Sequence, residues 1–300
     1  MSRFRLDRSV SLRVVRPMRR MLGRMEGDRI PILMYHGINN VLGSSHPYFE
    51  TNTSPDAFAS QMRYLRDSGY TPITLDGAVQ TLKASDIRPR SVVITFDDGF
   101  RDFYTRAMPI LQAHGFAATM FVVSSFMGTR IERFVDREFM TWGEVREVES
   151  LGVQIGSHTV SHPQLHQVSL KDVKRELGES KQTIEDQLGK SITSFSYPYA
   201  FPEQDDAFKV ELRQGLASAG YASGVTTVIG SAGLRDDRYF LPRIPANVYD
   251  DLSLFQAKLE GAYDWLHSPQ RLYKRIKGRN ETMSRLEQDS SSRQSKVVGL

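Results

Sequence analysis

Short apolar runs alternate with amphipathic stretches along most of this chain. The runs fall near 30–35, 72–75, 92–96, 117–123, 153–156, 193–197, 221–228 and 239–244. Their length suits strands and is too short for helices. Between them the spacing turns helical. Ser54-Pro55-Asp56 predicts a helix start with proline in the first turn. Phe58, Met62 and Leu65 then share one face. The stretch 103–114 predicts a helix stopped by Gly115. Ser169 predicts the cap of a helix that runs to Leu188 and stops at Gly189. Strands and helices in this alternation predict parallel strands joined by crossover helices, an α/β fold. Seven or eight repeats are enough to close a barrel, but the pattern alone leaves closure open.

One run ends in chemistry. Ser91-Val92-Val93-Ile94-Thr95-Phe96 leads straight into Asp97-Asp98-Gly99. A continuous apolar run reads as a strand buried on both faces, and functional groups in such folds gather beyond the strands' carboxyl ends. Two adjacent carboxylates there repel each other and lose solvation, so a cation is the expected compensation. The alternative is that one carboxylate caps a helix and the other faces water. A second strand end narrows the choice. Val153-Gln154-Ile155 leads to Gly156-Ser157-His158-Thr159-Val160-Ser161-His162-Pro163. Imidazoles four residues apart can reach one ion, and an Asp with two His leaves positions open for water, which marks a catalytic metal. His166 is close by, but its spacing fits a helix start better than a third imidazole ligand.

Thr95-Phe96-Asp97-Asp98-Gly99 together with His158-Thr159-Val160-Ser161-His162-Pro163 resembles the polysaccharide deacetylases with a NodB-type homology domain, carbohydrate esterase family four. Ile30–Gly37 resembles the opening strand of that family and 58–70 its first helix. The likeness covers roughly 30–262 and is nearest to the exopolysaccharide and poly-N-acetylglucosamine subgroup. It implies a distorted (β/α) barrel of about seven parallel strands. It also implies a hydrolase of carbon–nitrogen, non-peptide linear amide bonds that removes N-acetyl groups from an N-acetylated glycan. Asp98, His158 and His162 would hold a divalent metal, zinc first, with cobalt, nickel or manganese also suiting these ligands. Asp97 would be the general base. The loop Ser196-Tyr197-Pro198-Tyr199-Ala200 would lie over the metal, with Tyr197 and Pro198 at the substrate and the Tyr199 N–H facing the oxyanion.

The chain departs from the common family pattern on this loop. Ser196 stands where many members have the arginine that orients the catalytic Asp, and Ala200 where glycine is usual. Arg243, in Leu241-Pro242-Arg243-Ile244-Pro245, is expected to pair with Asp97 instead, since a buried guanidinium needs a partner. The family's late Leu-x-His acid is also absent, so His36, at the first strand's end, is nominated as general acid. Trp142 would either wall the sugar site or belong to the core. Two other readings stand beside the glycan deacetylase: a non-sugar amide or imide hydrolase of the same fold, and a non-catalytic glycan-binding module.

Charge divides the chain into three. Residues 1–29 carry nine Arg against three acids, a net +6; residues 268–300 net +5; 30–267 is left at −7. The expected organisation is therefore a basic arm over 1–29, a catalytic domain over 30–267 and a polar basic tail over 268–300, with a short helix near 268–278. An acidic globular part argues against a nucleic-acid-binding core. There is no cysteine, which excludes disulfides and thiolate chemistry. Val14, Val15, Met18, Met21, Leu22 and Met25 recur at helical spacing among arginines. Pro17 would start or interrupt such a helix. The arm reads as a candidate for peripheral contact with an anionic membrane, or as a free arm, or as a helix packed on the domain. With no signal-type apolar core and no run of 18 apolar residues, the expected place is cytoplasmic, at the inner membrane face.

Overall fold

The computed structural model describes residues 5–23, 29–41, 47–48, 50–129 and 137–270. Each of the eight apolar runs forms a strand. Seven close the barrel: β1 (Ile32–Tyr35), β2 (Ser91–Phe96), β3 (Thr119–Val122), β4 (Gln154–Ser157), β5 (Ser194–Ser196), β6 (Ser223–Ile229) and β7 (Leu241–Pro245). Neighbours in sequence are neighbours in the ring, and β7 also pairs with β1, which pairs with β2 and so closes it. All these pairings are parallel. The eighth run, Thr71–Ile73, pairs only with Ser91–Val93 at the start of β2 and stays outside the ring. The fold is thus the seven-stranded (β/α) barrel that the resemblance implied.

The crossover helices are α1 (Pro55–Asp67), α2 (Leu75–Ala84), α3 (Met108–His114, entered through a π turn over Phe103–Ala107), α4 (Trp142–Ser150), α5 (Leu170–Leu188) and α6 (Asp206–Ser218); α7 (Leu252–Leu259) follows β7. Local chemistry sets their ends. The Ser54 hydroxyl accepts the Ala57 N–H, Thr141 and Glu144 form a capping box, and Ser169 accepts the Asp172 N–H. Gly115 and Gly189 take left-handed conformations just past α3 and α5. Phe58, Met62 and Leu65 of α1 are fully buried against β1 and β2 side chains such as Tyr35 and Phe96.

Register decides what meets at the rim. Tyr35 lies beside Phe96, Phe96 beside Met120, Val122 beside Ser157, and Ser157 beside Phe195. The residues that follow, His36, Asp97, Asp98 and His158, therefore emerge at one end of the barrel. Gly156 makes the close strand packing possible: a Cβ there would lie 2.7 Å from the Phe121 ring and 2.8 Å from the Ser194 carbonyl oxygen.

The segment 6–21 is a helix docked on the barrel. Its middle, Ser11–Val15, is a π turn just ahead of Pro17. Proline offers no N–H and crowds the preceding turn, and a wider turn relieves both problems. The Tyr263 hydroxyl donates to Asp7 (2.8 Å), the Trp265 indole to Ser11 Oγ (3.0 Å), and Arg16 forks onto Glu260 (2.7 and 2.6 Å). No described helix is long and apolar enough to cross a membrane. Of the short helix expected near 268–278, residues 268–270 are helical; the remainder, like Arg24 and Met25, lies outside the described residues.

Candidate active site

β2 ends in a sharp turn. Asp98 has φ +75° and Gly99 φ +81°. A non-glycine residue in the left-handed region costs about 1–2 kcal/mol. Such strain persists where the surroundings hold it. The turn sends the two carboxylates to different partners. Asp98 Oδ1 lies 3.6 Å from His158 Nε2 and 3.4 Å from His162 Nε2. One ligand atom from each of these three buried residues lies within 4.8 Å of the others, close enough to share one ion.

The imidazoles are prepared for that task. His158 Nδ1 donates to the Ser196 carbonyl at 2.8 Å, which leaves the Nε2 lone pair turned to Asp98. Burial pushes His158 below its ordinary value against the pull of Asp97, so it is neutral, the form that binds metal. The loop carrying His162 is held in a strained shape, with φ +73° at Thr159 and +56° at His162. Thr159 Oγ1 accepts the His162 N–H at 2.9 Å. Glu176 on α5 accepts the N–H groups of Val160 (2.8 Å) and Ser161 (2.9 Å) and the Ser161 hydroxyl (2.8 Å). A carboxylate with two imidazoles fits a zinc-type divalent ion that keeps open positions.

Asp97 turns the other way, into the barrel. Arg243 on β7 meets it as a fork, Nη1 to Oδ1 at 2.8 Å and Nη2 to Oδ2 at 2.6 Å, with the arginine fully buried. The same guanidinium donates to Thr95 Oγ1 (3.2 Å), the Thr226 carbonyl (2.9 Å) and Ser196 Oγ (3.1 Å), and Ser196 Oγ donates to Asp97 Oδ1 (3.2 Å). A serine at 196 leaves room for the guanidinium arriving from β7. Burial by itself would raise Asp97, but the charge of Arg243 and its hydrogen bonds outweigh it and hold the carboxyl well below the usual range.

His36 Nε2 lies 3.9 Å from Asp97 Oδ2, with its side chain one-fifth exposed. Burial lowers the imidazole to about 4, Asp97 pulling it up and Arg243 pushing it further down. Tyr199 closes the opposite side. Its backbone is left-handed at φ +58°, its ring is 4.5 Å from that of His162, and its side chain is exposed. Tyr197 does not face the rim. It is 2 % exposed, its ring packs on Phe201 and Phe208, and its hydroxyl meets His166 Nδ1 at 3.1 Å. The substrate contact expected of its side chain is thus replaced by a core position, because alternation along the loop points it inward. Pro198 lies between these two tyrosines at the end of β5. Trp142 opens α4 and packs, half-buried, against the core.

Some supporting residues are not evident from sequence. Glu176 reads as an ordinary helix-surface acid. A Cβ on Gly37 would collide with Asn52 Oδ1 and lie 2.8 Å from Arg137 Nη1. Arg137, stacked over Phe100 and bonded to Asn52, therefore stands next to His36. Only the glycine directly after His36 hints at this close approach. A cavity of about 840 Å³ opens beyond Phe201, lined by Phe240, Lys209, Arg213 and Asp237 among others, and includes none of the metal-ligand residues.

The profile of the polysaccharide deacetylase family matches residues 84–223. YxkH of Bacillus subtilis (strain 168), named as a candidate polysaccharide deacetylase, is 30% identical over 234 residues, covering 77% of this chain and 76% of its own. A poly-beta-1,6-N-acetyl-D-glucosamine N-deacetylase of Staphylococcus aureus (strain MSSA476) is 25% identical over 219 residues, covering 69% of this chain and 73% of its own. Among solved structures, Streptococcus pyogenes deacetylase PplD in complex with acetate superposes with a TM-score of 0.66 at 26% identity, covering 77% of this chain and 98% of that one.

Proposed function

The chain belongs to the polysaccharide deacetylase family, and from that premise we propose that it is a metal-dependent hydrolase that removes N-acetyl groups from an N-acetylhexosamine-containing glycan. The observation that carries this reading is the division of labour between adjacent carboxylates. Asp98 joins His158 and His162 within 4.8 Å, while Asp97 is held by Arg243 and kept off that trio. Bound there, a divalent ion would polarise the acetamide carbonyl and acidify a water. Zinc suits the donor set best.

Asp97 is the base that takes the proton of the attacking water. It is a weak base by virtue of Arg243, so it does not hold the proton for long. His36 is the next stop. Neutral at pH 7 and lowered only to about 4, it binds a proton more strongly than Asp97 does. The two groups lie 3.9 Å apart, a small side-chain adjustment from hydrogen-bond distance. From His36 the proton passes to the departing amine, which is more basic than either group. The Tyr199 N–H, fixed by its left-handed backbone, donates to the tetrahedral oxyanion, and a donor so placed contributes about 3–4 kcal/mol. The products are acetate and an amino sugar. The S. aureus relative's name supports the glycan class.

Acetate release from N-acetylglucosamine oligomers, with and without chelator, tests the reading. Release should stop with chelator and return with zinc. Asp97→Asn should keep one metal equivalent and lose turnover, whereas His158→Ala should lose the metal. An Asp97→Asn protein that no longer binds metal would reverse the two aspartate roles, and release that is indifferent to chelator would end the metal-dependent reading.

A further inference from the structure

The docked N-terminal helix has a second face, and nothing among the described residues covers it. Val14 (56% exposed), Met18 (51%), Met21 (89%) and Leu22 (60%) stand at helix spacing, and Leu6 (58%) is exposed at the helix start. Large exposed apolar side chains gathered on one short helix mark an interaction surface more than scattered ones do. Among the described residues, the exposed charge beside the stripe is positive. Arg13 and Arg20 are exposed beside this stripe. The acids that meet the helix, Asp7, Asp251 and Glu260, are all taken up on the docked side, by Arg5, Arg8, Arg16 and Arg20.

From this arrangement we infer that residues 6–22 are a rigid docking face for an anionic lipid bilayer. Val14, Met18, Met21 and Leu22 enter the headgroup–acyl boundary, and Arg13 meets lipid phosphate. A second copy of the chain fits this face poorly, because two-fold pairing would bring the same arginines against each other. The surface differs from a flexible basic arm in one respect. The opposite side of the helix is fastened to the barrel through Asp7–Tyr263, Ser11–Trp265 and Arg16–Glu260, so binding fixes the orientation of the whole domain. The inference is independent of the metal chemistry.

The test is co-sedimentation of the full chain with vesicles of phosphatidylcholine alone or mixed with phosphatidylglycerol, at physiological salt. The wild type should pellet at least tenfold more with the anionic vesicles. Met18→Asp/Met21→Asp should stay in the supernatant. Arg13→Glu should lose the preference for phosphatidylglycerol. All three positions are exposed, so both variants should fold, with the near-ultraviolet signal of the docked Trp265 unchanged and acetate release from soluble oligomers unaltered. Wild-type protein that ignores anionic vesicles, or apolar-face variants that pellet like wild type, would overturn the inference. So would a vesicle-free dimer that Met18→Asp/Met21→Asp dissolves, since a second copy would then be the occupant.

Discussion

Arg243 reaches Asp97 across 146 residues of sequence, and the fork between them is fully enclosed. Removing one member of a buried pair leaves the other charge uncompensated, at a cost of roughly 3–5 kcal/mol. Arg243→Ala should therefore unfold at markedly lower temperature than wild type. Its activity should also change shape with pH. Without the guanidinium, burial dominates and raises Asp97, so the ionised base is lost at a higher pH. The acid limb of the kcat profile should move upward while metal content stays at one equivalent. Arg243→Lys keeps a charge but cannot fork, and it should lie between the two. Full turnover in the lysine variant with an unmoved acid limb would remove Arg243 from the machinery. Ser196→Ala should be milder, since it deletes hydrogen bonds of 3.2 and 3.1 Å while the Ser196 carbonyl still anchors His158; about 1 kcal/mol of stability is at stake.

The loop after β4 depends on a helix it does not belong to. Three hydrogen bonds from Glu176 of α5 hold Val160 and Ser161, and through them the strained backbone at Thr159 and His162. Glu176→Ala should leave the barrel folded by circular dichroism yet weaken metal binding by about 10–100-fold, the usual effect of losing a group that orients a ligand. Metal affinity unchanged in that variant would mean the loop holds its own shape. Gly156→Ala belongs to the opposite class. Its new Cβ meets a backbone oxygen that cannot swing aside, so the damage should be to folding itself, seen as loss of soluble protein. The strands and helix caps were legible because hydrophobic period, Ser caps and terminal glycines act locally. Asp98, His158 and His162 were legible as a cluster because each follows an apolar run. The inward turn of Tyr197 was not, since the period-two alternation of a three-residue strand carries too little signal to set its phase at the loop. Glu176 was not either, because its role exists only once α5 packs behind β4. The outer position of Thr71–Ile73 had no signal at all: its sequence reads like any barrel strand, and only pairing excludes it from the ring.

The basic N-terminus looked separable in the sequence because charge is visible there and docking is not. In the folded chain it is tied to the far end by carboxylates that burial makes sensitive to pH. Burial alone would raise Asp7, but the hydrogen bond and charge of Arg5 and the bond from Tyr263 hold it below its ordinary 3.8. Glu260 is likewise held below 4.5, against burial, by Arg16 and then Arg20. A carboxylate lowered in the folded state adds stability that is complete above its unfolded value and is lost as pH falls through the folded one. The docking should therefore be intact at pH 5 and above, weaken below about pH 4, and fail before the barrel, whose buried Asp97 is held ionised well below the usual carboxylate range by Arg243. Trp265, bonded to Ser11 at 3.0 Å, reports on it directly. Its emission should shift in the acid titration ahead of the far-ultraviolet signal. Trp142, packed at the start of α4, is the only other tryptophan and should contribute a constant background. Asp7→Asn should bring the shift forward to neutral pH, since Arg5 then loses its fork onto Asp7 at every pH and keeps only the Tyr249 carbonyl (2.6 Å) and Asp250 (3.6 Å). A single transition in which both signals move together, in wild type and in Asp7→Asn alike, would mean that helix and barrel form one cooperative unit, and that the ion pairs tying the helix down are spectators to its stability.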